Sequence, residues 1–165
     1  MKKHFVCFMV LFGLHATMLH AQHEVGVGIQ YWKVLDDIDV TNIDDSGFSY
    51  YVNYRYRFKG PLRFELVMER LPDRFGEDAY APQAFLVAGN RLFAGAGLGA
   101  VYTDGAFSDE PFYALKAGVS LPMPLWLRFD LTAQYRFNDF ADLRKDDRKV
   151  GTDTIFIGAA IRLTL

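Results

Sequence analysis

From Leu125 to Phe137 apolar and polar residues alternate without a break. Leu125, Leu127, Phe129, Leu131, Ala133, Tyr135 and Phe137 fall on one side; Trp126, Arg128, Asp130, Thr132, Gln134 and Arg136 fall on the other. Successive strand side chains point to opposite faces, so the pattern predicts a strand with one apolar and one charged face. At roughly 3.3 Å per residue it would run about 40 Å, enough for a tilted crossing of a bilayer.

Seven further segments carry a similar period. The first, about Glu24 to Leu35, sets Val25, Val27, Ile29 and Tyr31 against Gly26, Gly28, Gln30 and Trp32. The second, Gly47 to Phe58, opposes Phe48, Tyr50, Val52, Tyr54, Tyr56 and Phe58 to Ser49, Tyr51, Asn53, Arg55 and Arg57. After a Lys59-Gly60-Pro61 turn, Leu62, Phe64, Leu66 and Met68 face away from Arg63, Glu65, Val67 and Glu69. The fourth, about Tyr80 to Ala88, is apolar on both faces, which leaves its phase open; Gly89-Asn90 then suits a tight hairpin. In the fifth, Leu92 to Tyr102, glycines 95, 97 and 99 share one side, as where a small barrel curves around bulky neighbours. The sixth, Phe112 to Leu121, opposes an apolar face to Lys116, Gly118 and Ser120. Leu125–Phe137 is the seventh, and the eighth opposes Ile155, Ile157, Ala159, Ile161, Leu163 and Leu165 to Phe156, Gly158, Ala160, Arg162 and Thr164.

The connections alternate long and short. The long ones are an acidic segment with Asp36, Asp37, Asp39, Asp44 and Asp45, then about Leu71–Asp78, Asp104–Glu110 and Asn138–Thr152. Such sorting predicts an all-β, eight-stranded antiparallel up-and-down transmembrane β-barrel, with short turns at the periplasmic rim and long loops outside. The apolar face carries almost no mid-strand charge, Lys33 near a strand end excepted. Aromatics gather near strand ends (Tyr31, Tyr50, Phe58, Tyr102, Tyr113, Tyr135, Phe137), as interfacial girdles do. Both features predict that the apolar face points outward. The alternative is a soluble secreted barrel with the apolar face inward, binding an apolar ligand.

Composition sharpens this picture at the N-terminus. Lys2 and Lys3, the apolar Phe5–Leu14 and a Leu19-His20-Ala21 cleavage site predict a signal peptide over residues 1–22, leaving a barrel domain over 23–165. The remaining chain has 16 basic and 20 acidic residues, a net charge of −4, which argues against nucleic acid. It keeps no cysteine and so no disulfide. Although 51% of residues are hydrophobic, no run beyond the leader approaches a transmembrane helix.

The chain resembles the small eight-stranded outer-membrane barrels of the OmpX and OmpA membrane-domain type. The resemblance rests on pattern over everything after the leader, and on the terminal IFIGAAIRLTL, similar to the strand that the outer-membrane assembly machinery recognises. Family members commonly end in an aromatic residue, whereas this chain ends in Leu165. The resemblance implies a bacterial outer-membrane location, contact with lipids and lipopolysaccharide, and a monomer.

The polar face gathers the candidate site: a lumen network of Asn53, Arg55, Arg57, Arg63, Glu65, Glu69, Lys116, Arg128, Asp130, Gln134, Arg136 and Arg162, with Gln30. Both charge signs on neighbouring strands predict cross-strand ion pairs. An eight-stranded barrel is just wide enough for side chains to fill, so the expectation is a structural polar core; a narrow channel is the alternative. Barrels of this size include lipid A deacylases and palmitoyltransferases that rely on histidine and serine. Here the mature chain keeps only His23, with no Ser or Asp motif around it, so no enzyme, cofactor or catalytic residue is expected. The acidic first loop could hold Ca²⁺ but lacks a calcium-loop pattern, so no metal site is assigned. Arg144, Lys145, Arg148 and Lys149 could touch lipid phosphates.

Overall fold

The computed structural model describes residues 22–35, 46–58, 60–72, 78–103, 105–107, 111–137 and 153–165. The leader, the acidic first loop, and the loop holding Arg144, Lys145, Arg148 and Lys149 lie outside the described residues. The elements are β1 (Gln22–Val34), β2 (Ser46–Arg57), β3 (Leu62–Leu71), β4 (Ala79–Gly89), β5 (Leu92–Gly99), β6 (Tyr102–Thr103), β7 (Ala106–Phe107), β8 (Phe112–Pro122), β9 (Leu127–Phe137) and β10 (Thr154–Thr164). Each long strand pairs antiparallel with its neighbours, in the order β3-β2-β1-β10-β9-β8-β5-β4, and the β3–β4 pairing closes the ring. Eight strands therefore form a barrel. Closure leaves no open edge, the condition for strands to sit in lipid.

The orientation of the faces is inverted relative to a soluble protein. Outward-pointing Val27, Val52, Leu86, Leu98, Leu131 and Ile157 are 48–64% exposed. Inward-pointing Arg55, Arg63, Glu65, Asp130 and Arg162 are at most 1% exposed. A belt of exposed aliphatic side chains around the whole barrel far exceeds the apolar patches that water-facing monomers show. The soluble alternative, which needs the apolar face inside, is thereby excluded. Lys33 points outward at the loop end, as does Arg70, paired with Asp78 at 2.6 Å.

Aromatic residues collect at both ends of the belt. Tyr31 and Phe48 pack edge to face at the loop end, where Tyr113, Tyr135 and Phe137 also stack. At the short-turn end His23, Tyr54, Tyr56 and Phe58 form the matching cluster.

Two local details differ from expectation, and the phase left open for the fourth strand is defined. The seventh strand begins at Leu127, not Leu125: Leu125 and Trp126 form a turn, with φ of 61° and 58°. Left-handed backbone in two bulky residues is uncommon and costs about 1–2 kcal/mol each. The β8–β9 pairing holds the turn in place, through Met123 N–H to Leu127 O at 2.9 Å. The alternating pattern simply runs on through it. The fifth strand breaks at Ala100–Val101 and resumes as β6, which folds back on β7 at Gly105, so the expected plain connection over 104–110 contains a small hairpin. The break lies opposite Pro82, whose carbonyl accepts from Ala100 N–H at 3.2 Å but which has no N–H to return the bond. Finally, the fourth strand takes a definite phase, with Ala79, Ala81, Gln83, Phe85 and Val87 inside.

Candidate functional site: the polar lumen

The inner face supplies little space, and glycines make it. Gly97 lies against the Phe85 ring and Gly28 against Tyr51, where any Cβ would collide. A Cβ on Gly118 would stand 2.6 Å from Phe93, and one on Gly99 2.5 Å from Phe112. The glycine run of β5 thus lets rings from neighbouring strands lean into a narrow interior.

All twelve predicted network residues lie on the lumen face, in three levels. At the short-turn end Glu24 takes Arg57 at 2.6 Å, Arg162 at 3.1 Å, Arg55 at 3.6 Å and Arg128 at 3.8 Å. Asp130 pairs with Arg162 and stands 3.6 Å from Arg55. Arg63 instead donates to the carbonyls of Gly89 and Asn90 in the β4–β5 turn. In the middle Glu65 accepts from Asn53 at 2.7 Å and Arg55 at 3.0 Å, and meets Lys116 at 3.3 Å. Lys116 also sits 4.1 Å from the centre of the Phe85 ring. Toward the loops Glu69 gathers Gln30 and Ser49 at 2.5 Å, Gln83 at 2.9 Å, and Arg136. Gln134 lies 3.0 Å from Gln83. Above that level Trp32, Phe112 and Phe156 are at most 4% exposed and form an apolar layer with Val34 and Leu71. Arg136 stacks on two of these rings, 3.7 Å from the Phe156 centre and 5.0 Å from that of Phe112.

Neighbouring-strand pairing explains only part of the network. Arg55 and Glu65 are direct register partners on β2 and β3. Lys116–Glu65 and Arg136–Glu69, however, join β8 and β9 to β3 across the interior. Barrel closure makes these cross-lumen pairs. A linear reading of adjacent strands does not contain them.

Sequence reasoning missed Glu24, the carboxylate that holds most of the arginines. Its signal was present, since it stands in phase with Gly26, Gly28 and Gln30 on the polar face of the first segment. Gln83 and Ser49, both on Glu69, were missed as well. Gln83 sits in the segment whose phase was open; Ser49 is an in-phase position without charge.

Among the described residues the partners of His23 are aromatic. Its Nδ1 lies 2.6 Å from the Tyr54 hydroxyl, and its ring packs on Tyr56 at the outer rim. No cluster of metal-ligating side chains occurs among the described residues.

No family model and no curated protein matches the sequence. Solved structures do match. Neisserial surface protein A superposes with a TM-score of 0.58 at 15% identity, over 88% of this chain and 97% of that one. The N-terminal β-barrel domain of Pseudomonas aeruginosa OprF gives 0.53 at 10% identity, over 87% and 100%. This is the fold of the small eight-stranded outer-membrane β-barrels. At such identities the likeness is one of architecture, and the lumen chemistry must be read from this chain's own residues.

Proposed function

We propose that the chain is a bacterial outer-membrane protein whose barrel is mainly structural and whose outer loops make surface contacts. On this reading residues 1–22 are a cleaved signal peptide. Residues 23–165 are inserted as a monomer by the outer-membrane assembly machinery, among lipids and lipopolysaccharide, and no reaction is catalysed. The observation that supports it is the inverted barrel: an apolar belt outside, and an interior occupied by paired charges and rings. Side chains that fill a lumen oppose flow through it.

Fractionation of a two-membrane host, followed by gel electrophoresis with and without boiling, tests the location. The expected result is a heat-shifted band in the outer-membrane fraction; an unshifted periplasmic protein would sink the reading. Planar-bilayer conductance tests the filled lumen. Silence is expected, and a stable, salt-dependent step would replace the structural role with that of a narrow channel.

A further inference from the structure

The charges at the short-turn half of the lumen do not balance. Arg55, Arg57, Arg63, Lys116, Arg128 and Arg162 surround Glu24, Glu65 and Asp130, an excess of three positive charges among the described residues. Five of the six cations have a carboxylate partner. Arg63 has none among the described residues, although its side chain is fully buried. Its Nε and Nη1 have no hydrogen-bond acceptor, and neither does the Nε of Arg55, Arg57 or Arg162. Arg63 and Arg55 both lie against the Phe93 ring, 5.4 and 5.3 Å from its centre, which places the two guanidinium groups around one side chain. An uncompensated buried charge costs several kcal/mol, and a guanidinium fork matches the oxygens of a phosphate.

Access is one-sided. Arg57 and Arg128 are 18% and 28% exposed at the short-turn mouth, while the opposite end carries the Trp32, Phe112 and Phe156 layer. We propose that the short-turn half of the lumen is a binding cup for a phosphate group, centred on Arg63 and entered from the short-turn side. The group neutralises the surplus cations and occupies the donors that protein acceptors leave free. This cup rests on the barrel's interior geometry and not on any role of the loops.

The test uses the full barrel refolded in dodecyl maltoside, which carries no phosphate, and titrated calorimetrically with inorganic phosphate. Saturable binding is expected, with no comparable response to chloride at matched ionic strength. Arg63→Gln should weaken it at least roughly tenfold, the loss of a charged hydrogen-bond pair. If that variant fails to fold, Arg63→Lys, which keeps the charge but loses the fork, should still bind measurably more weakly. Binding of a short-chain phosphatidylglycerol without binding of free phosphate keeps the cup and assigns the phosphate to a lipid headgroup. Absence of saturable binding by either probe, or equal binding by the Arg63 variants, overturns the proposal.

Discussion

The two ends of the lumen solve one problem differently. Toward the loops one ion pair among the described lumen residues, Glu69–Arg136, is wrapped in neutral donors and aromatic faces, with Gln30, Ser49 and Gln83 on the carboxylate and Phe112 and Phe156 on the guanidinium. Toward the short turns Glu24 faces four arginines and shares two of them, Arg55 and Arg162, with Asp130. The first arrangement is locally complete: each charge is balanced and its hydrogen-bonding capacity is largely used. The second depends on sharing, so any one carboxylate supports several strands at once. Equal periodicity along the chain therefore conceals unequal electrostatics inside.

The largest effect is expected at the shared carboxylate. Glu24→Ala removes a partner of four arginines, and the sole carboxylate of Arg57 and Arg128 among the described residues; it should cost about 3–5 kcal/mol, the usual penalty for breaking a buried pair from one side. The urea midpoint of the heat-shiftable band reads it, and a near-neutral change would mean that the short-turn arginines are hydrated rather than held. An outside substitution sets the scale for these interior ones. Leu131→Arg, in the middle of the belt, should cost roughly 2–4 kcal/mol in a bilayer. A negligible cost there would contradict an apolar belt facing lipid.

At the loop end the isosteric Glu69→Gln keeps hydrogen-bonding capacity and leaves Arg136 on its two rings. Its cost should be smaller, about 1.5–3 kcal/mol by the same unfolding assay. A loss equal to that of Glu24→Ala would erase the distinction between the ends. Smallest of all is Arg70→Ala, whose exposed partner Asp78 lies outside the barrel wall. It should change stability by about 0–1 kcal/mol, and a larger loss would show that the outer rim is more than solvated surface.

Much of this architecture was legible because one face of most strands is marked by charge. Arg55 and Arg57, or Arg128, Asp130 and Arg136, announce which parity is inside once the outside is known to be apolar. Strand β4 carried no such mark. Its inward Ala79, Ala81, Phe85 and Val87 are as apolar as its outward Leu86, because this sector of the lumen packs rings and small residues instead of ions. Leu125 and Trp126 were misplaced for a related reason: their residue types give no hint of left-handed backbone, and their parity matched the strand that follows. The cross-lumen pairs of Lys116 and Arg136 were invisible in sequence because ring closure, not adjacency, brings β8 and β9 opposite β3.

The seam between the first and last strands has a kinetic consequence. Glu24 pairs with Thr164 in register, and the Arg162 guanidinium reaches Glu24 across the same junction. Contacts so distant in sequence carry the full entropy of closing nearly the whole chain, and nothing repays that entropy until the ends meet. Before then the molecule is a curled ribbon with two bare edges, and the cluster around Glu24 lacks Arg162 and Arg128, which stand on the far side of the seam. Wall and polar interior are therefore completed by the same late event, which makes ring closure the step that an insertion catalyst would most need to accelerate.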